Sequence, residues 1–121
     1  MKREQIAKNI VADLKELAAL TSDADGAQRV AWTPTFKKAT EWFTQKMQAA
    51  GADVWTDAAG NSWAKFAGES KECIVIGSHL DSVPDGGWLD GALGVVAGMG
   101  IGAYGLADKS LPKLFTLSVG R

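Results

Sequence analysis

The chain has 121 residues, the length of one domain able to bury a core. It is 46% hydrophobic and 22% charged, with a formal net charge of −1. That balance gives no electrostatic ground for a nucleic-acid or membrane partner. A single cysteine, Cys73, excludes a disulfide framework and favours a reducing, cytoplasmic setting.

Residues 1–20 are charged throughout and lack the apolar core of a signal peptide. Residues 3–20 are predicted as a helix, with Ile6, Ile10, Val11, Leu14 and Leu17 on one apolar stripe and Lys8, Asp13 and Glu16 elsewhere. Residues 21–27 read as loop. Thr33-Pro34 is a helix start, with Thr as N-cap and Pro at the first helical position. The second helix runs to about Ala50, with Phe36, Ala39, Phe43, Met47 and Ala50 spaced three or four apart, and Gly51 stops it. Residues 52–57 and 62–68 alternate as two arms of a hairpin around the turn 58–61. The run "CIVIG" within 72–79 predicts a parallel strand buried on both faces. Residues 90–107 read as a glycine-rich helix packed closely on a sheet. The uncharged run within it, residues 92–107, is shorter than the roughly 20 residues of a membrane span. Residues 113–119 are predicted as a last strand. The order indicates an α/β sandwich.

The stretch "GSHLDSVPDGGWLDG", residues 77–91, holds the only histidine, His79, with Asp81, Asp85 and Asp90. His79 falls where a strand ends, the place where open α/β sheets collect ligands. His79 and Asp81 project to the same side of an extended chain. A carboxylate that accepts one ring N–H leaves the other nitrogen for a metal. Asp90, at the predicted helix start, can be brought back near His79, and its two oxygens can bridge two cations. Plainer roles stand beside these. A lone histidine is more often a hydrogen-bonded structural residue, Asp90 can serve as an N-cap, and Asp85 before two glycines suits a turn. Cys73 lies mid-strand with no second histidine to activate it. Ser78 and Ser82 lack an independent base for a triad. The glycines of 91–105 do not follow a strand in dinucleotide-binding order. The tryptophans default to packing, although Trp88 could line a pocket.

The segment "GSHLDSVPDGGWLDGALGVVAGM" resembles the signature of a branch of metallopeptidase-clan amidohydrolases, the hydantoinase/carbamoylase type. That branch includes N-carbamoyl-L-amino-acid hydrolases, allantoate amidohydrolases and β-ureidopropionases. "DGAQRVAWTP" resembles the branch's G-G-x-x-R-x-x-x-T segment, with Ala27 in place of a glycine. "AGADVWTDAAGNSWAKFAG" resembles a further segment, so the similarity covers residues 3 to about 112. The resemblance implies the N-terminal part of a mixed-sheet α/β sandwich of the zinc-dependent exopeptidase type, without the dimerisation domain. It implies that His79 ligates one metal, Asp90 bridges two, and Asp81 orients His79. Complete relatives use two divalent cations (Zn, Mn, Co or Ni), act on small amide or ureido substrates with a glutamate general base, and form homodimers.

The resemblance departs at the end. The family's strand leads into D-E-E-G, which carries the general base and a further ligand; here "LPKLFTLSVGR" contains no Glu, and there is no second histidine. Residues 1–121 are therefore expected to be a partial catalytic domain, with 113–121 a frameshifted or truncated end. Weak or absent metal binding, no hydrolysis and self-association through exposed strands are the expected properties. A non-catalytic remnant that binds a protein partner and a mononuclear metal-binding module remain alternatives.

Overall fold

The structure is a computed structural model that describes residues 3–105 and, as backbone, the strand 113–119. Helix α1 spans Arg3–Thr21, and the strands β1 (Ser22–Asp23) and β2 (Gly26–Ala27) follow as a short antiparallel hairpin. The sequence reading had a loop there. Pairing of Ala27 with Gly86 on a distant loop extends this hairpin, which is why local sequence did not announce it. On α1, Leu14 and Leu17 are buried as expected, but Val11 faces solvent and Asp13 is buried. Burial of Asp13 is tolerated because both its oxygens are paired: Lys46 Nζ donates to Oδ1 at 3.1 Å and the Tyr104 hydroxyl to Oδ2 at 2.7 Å.

Helix α2 spans Pro34–Ala49, and the Thr33 hydroxyl accepts the Phe36 N–H at 3.3 Å, as its cap position requires. Its buried face is Phe36, Ala39, Phe43 and Met47, joined by Trp42, whose indole donates to Glu16 at 3.0 Å. Strands β3 (Asp53–Thr56) and β4 (Ser62–Phe66) pair antiparallel, with Ser62, Ala64 and Phe66 facing the core. β5 (Cys73–His79) precedes helix α3 (Ala92–Gly100), which runs on into a π-helical turn, Ile101–Gly105. β6 (Lys113–Val119) completes the main sheet in the order β3-β4-β6-β5. It lies antiparallel to β4 and parallel to β5. The sheet is mixed, and the α/β architecture is as the sequence indicated.

One strand differs from its expectation. β5 is parallel, but it is an edge strand, paired only with β6 among the described residues. Ile74 and Val75, which point to opposite faces, are 54% and 53% exposed. Cys73 is exposed and begins the strand, rather than lying in its middle. An apolar run reports that a strand can be buried; it does not report how many neighbours cover it. The core lies under the other elements: Leu14 and Leu17, Phe43 and Met47, Ala64 and Phe66, Leu80, Val95, Val96 and Met99. Glycines let α3 approach closely, as the sequence suggested. A β-carbon on Gly94 would sit 2.7 Å from that of Ser78 in β5, and one on Gly102 would collide with the Phe66 ring. Among the described residues no helix is long and apolar enough to cross a membrane.

The β3–β4 turn is organised by Asp57. Its carboxylate accepts the Trp63 indole N–H at 3.0 Å, both the side-chain and main-chain N–H of Asn61, and the Ala59 N–H. These donors, Trp63 first and Asn61 next, lower its pKa from 3.8 to about 2. A lowered folded pKa stabilises the fold above the unfolded value of 3.8, and that contribution is lost as pH falls through about 2. Asp57→Ala is therefore expected to lower the thermal midpoint at neutral pH by a few degrees. The gap to the parent should narrow as pH falls across that window. A gap independent of pH, followed by circular dichroism, would contradict this role.

Candidate metal centre

The register of the parallel pair sets Ser78 beside Ser118 and His79 beside Val119, so the carboxyl ends of β5 and β6 coincide. His79 is the last residue of β5, and Leu80 turns into the core with no exposed surface. His79 Nδ1 then lies 3.0 Å from the Asp81 carbonyl oxygen and 3.1 Å from Asp81 Oδ1. Both partners only accept, so the hydrogen-bond network assigns the ring proton to Nδ1. Nε2 is left with its lone pair, the state a metal ligand needs.

Nε2 faces Asp90, whose Oδ2 is 3.9 Å away. That is too long for a hydrogen bond. It lies within the roughly 4.2 Å that two metal–ligand bonds of about 2.1 Å can span. The imidazole and the Asp90 carboxylate are 40% and 76% exposed, so both remain reachable by an ion. By donor type and separation these two residues fit as ligands to a divalent cation. The structure thus brings together the three residues singled out from the sequence: His79, Asp81 and Asp90.

Asp90 is placed by the turn that begins α3. Its N–H donates to Gly87, its carbonyl accepts the Ala92 N–H at 2.7 Å, and Leu93 N–H bonds to Leu89. The N-cap is Gly91, with no side-chain capping bond, so the capping role open to Asp90 in the sequence is not the one it takes. Gly91 has φ +68°, and a β-carbon there would collide with the His79 carbonyl and imidazole ring. Only a residue without that carbon lets the turn close over the histidine.

Behind the site, residues 27–29 run alongside the loop 80–86. Ala27 and Gly86 exchange main-chain bonds of 2.8 and 2.9 Å, and Ser82 N–H donates to the Arg29 carbonyl at 2.8 Å. The Ser82 hydroxyl accepts the Arg29 N–H and donates to the Ala27 carbonyl. Arg29 is fully buried, and its Nε donates to the Leu80 carbonyl at 2.6 Å. Burial lowers its pKa, while the charges of Asp81 and then Asp90 oppose that shift. Sequence reasoning gave Arg29 no role. Its only signal was a place in the matched "DGAQRVAWTP" segment.

Asp85 occupies a turn with φ +54°, as its Gly-Gly neighbours suggested, and it also exchanges hydrogen bonds with the Gln28 amide. Asp23, Asp25 and Asp85 form an exposed acidic trio whose oxygens approach within 4.8 Å. Gln28 donates to Asp23 and Asp85, and the Asp25 N–H donates to Asp23. Ser78 packs beneath Gly94, and Trp88 is 40% exposed. Residues 120–121, where the family's acidic motif was sought, lie outside the described residues.

No family model matches the chain. It is 36% identical over 95 residues to an N-carbamoyl-L-amino-acid amidohydrolase from Paenarthrobacter aurescens, a match covering 77% of this chain and 23% of that protein. It is 40% identical over 90 residues to allantoate deiminase 1 from Glycine max, covering 72% and 18%. A hydantoinase/carbamoylase family amidase from Burkholderia ambifaria superposes with TM-score 0.81 at 30% identity, over 92% of this chain and 28% of that one. A family member from Burkholderia phymatum gives 0.80 at 33% identity, over 91% and 28%. In sequence and fold the chain is similar to the N-terminal part of hydantoinase/carbamoylase-type amidohydrolases. It spans about a fifth of the length of the curated relatives it matches.

Gly91→Ala tests the construction of the site. The collision with His79 and the positive φ together are expected to destabilise the chain by about 2 kcal/mol or more. The displaced imidazole should lose its Nδ1 partners, seen as a change in the His79 ring resonances. A variant with unchanged stability and unchanged ring resonances would show that the close approach is not as described.

Proposed function

We propose that this chain carries the His79–Asp90 half of a dinuclear metal centre in an amidohydrolase acting on linear amide or ureido C–N bonds, of the N-carbamoyl amino acid or allantoate type. The observation that supports it most is His79 Nε2 facing Asp90 across 3.9 Å while Nδ1 is taken by Asp81, on a chain similar to N-carbamoyl-L-amino-acid amidohydrolases and allantoate deiminases. In this reading His79, through Nε2, and the Asp90 carboxylate would be the residues of this chain that hold the cations. Asp81 holds the His79 ring in the ligating tautomer. When bound, the cations supply an activated water and polarise the scissile carbonyl. Imidazole and carboxylate suit Zn, Mn, Co and Ni alike, so the donor set does not select among them.

His79 and Asp90 are two ligands, and a pair of four- or five-coordinate ions needs about six. The 121-residue chain alone is therefore proposed to bind metal weakly and to release no ammonia or amino acid from N-carbamoyl amino acids or allantoate. A turnover above roughly 10⁻² s⁻¹ with any of the four metals would overturn that.

The positive test is a chimaera in which residues 3–112 replace the matching segment of the Paenarthrobacter amidohydrolase. It is expected to hydrolyse N-carbamoyl amino acids in a metal-dependent way. His79→Ala or Asp90→Ala should lower kcat by about 10³-fold. Asp81→Asn should weaken metal binding or activity by about 10- to 100-fold. A folded chimaera whose activity survives His79→Ala would contradict the assignment.

A further inference from the structure

We propose that Arg29 is the positioning residue of the His79–Asp81 pair, holding both neighbours of Asp81 so that the histidine keeps its proton on Nδ1. The proposal deepens the reading of His79 as a ligand and takes its functional meaning from it. A guanidinium with no exposed surface is unusual, because water no longer solvates its charge. What Arg29 does in return is specific. Its Nε–H is bonded to the Leu80 carbonyl at 2.6 Å. Its main-chain N–H and carbonyl both bond to Ser82, at 3.0 and 2.8 Å.

Leu80 and Ser82 flank Asp81, so one residue fixes the chain on either side of it. Asp81 presents two acceptors to the same ring nitrogen, its carbonyl oxygen and Oδ1. Because both acceptors belong to residue 81, a displacement of its main chain shifts both of them relative to the ring. The tautomer therefore depends on what holds residues 80 and 82.

Arg29 Nη1 and Nη2 are buried and find no acceptor among the described residues. The guanidinium is thus not at this place to complete an ion pair with either carboxylate of the site. Its single completed side-chain bond goes to the main chain of the histidine loop, which is the contact of a positioning residue. A lysine would keep the charge but has no N–H at the Nε position and no planar fork.

The test uses the full chain labelled with ¹⁵N. His79 is the only histidine, so a long-range ¹H–¹⁵N ring spectrum reports one residue. At a pH where the ring is neutral, the parent is expected to show the Nδ1–H tautomer. Loss of a hydrogen bond worth about 1 kcal/mol corresponds to roughly a fivefold rise in the Nε2–H form, and this rise is expected in Arg29→Lys and in Arg29→Met. The amide resonances of α2 and the β3–β4 hairpin should stay in place. Variants that fold and keep the parent's tautomer ratio overturn the proposal, since a purely structural arginine would give that result.

If Arg29→Met does not fold, Arg29→Lys decides by the same readout. In the parent itself, the Arg29 Nε–H must exchange with solvent far more slowly than that of free arginine; fast exchange overturns the proposal without any variant. Cation binding is measured separately by titrating the parent with Zn alone. Weak or absent Zn binding is the result expected of the isolated chain; a folded chimaera whose Zn binding survives His79→Ala would end the metal reading and leave the tautomer result standing.

Discussion

The site depends on how closely the start of α3 approaches the end of β5. That approach exists because Gly91 and Gly94 lack β-carbons where His79 and Ser78 stand. Once the helix turn closes over the imidazole, Asp90, held by its main-chain bonds to Gly87 and Ala92, falls opposite Nε2. The same seam continues along the chain: Gly100 meets Ile10 of α1 and Gly102 meets Phe66 of β4. Beyond it, the π-helical turn carries Tyr104 to Asp13. Asp13 also takes Lys46, which bonds Glu16, which accepts the Trp42 indole. Burial first, and then the hydrogen bond and charge of Asp13, push the Tyr104 phenol up to about 12, so it stays a donor at any ordinary pH. A packed seam at one end and a satisfied polar chain at the other fix where α3 starts.

The direction of one proton then decides what the site can do. A neutral imidazole with two acceptors at Nδ1 keeps its proton there, and the remaining nitrogen has no hydrogen-bond partner at bonding distance among the described residues. The acidic trio at Asp23, Asp25 and Asp85 gathers more carboxylates than the histidine site does. Of its members, Asp23 accepts from Gln28 and the Asp25 N–H, and Asp85 accepts from Gln28.

Much of this was legible in the residues. The two helices, the β3–β4 hairpin and the order of elements follow from apolar period, the Thr33-Pro34 start and the Gly51 stop. The His79–Asp81 pairing was legible because side chains alternate along an extended strand. What escaped was set by contacts distant in sequence. Asp13 reads as a surface residue until Lys46 and Tyr104 arrive from other elements. β5 reads as doubly covered, and only the strand order reveals an edge. Arg29 is one charged residue among apolar ones, and nothing local shows that it lies against Leu80 and Ser82, 51 and 53 positions away. The role of Asp90 was ambiguous between cap and ligand. Backbone conformation removed the capping role, because the cap position belongs to Gly91.

The central claim is that His79 and Asp90 form a ligand pair, and that the acidic trio does not. The most direct measurement is a crystal structure of the chain grown with cobalt(II), read by anomalous difference density at the cobalt edge. The account predicts a peak between His79 Nε2 and the Asp90 carboxylate, with His79 Nδ1 still on Asp81. Density confined to Asp23, Asp25 and Asp85, or a peak on Nδ1 of His79, would contradict it.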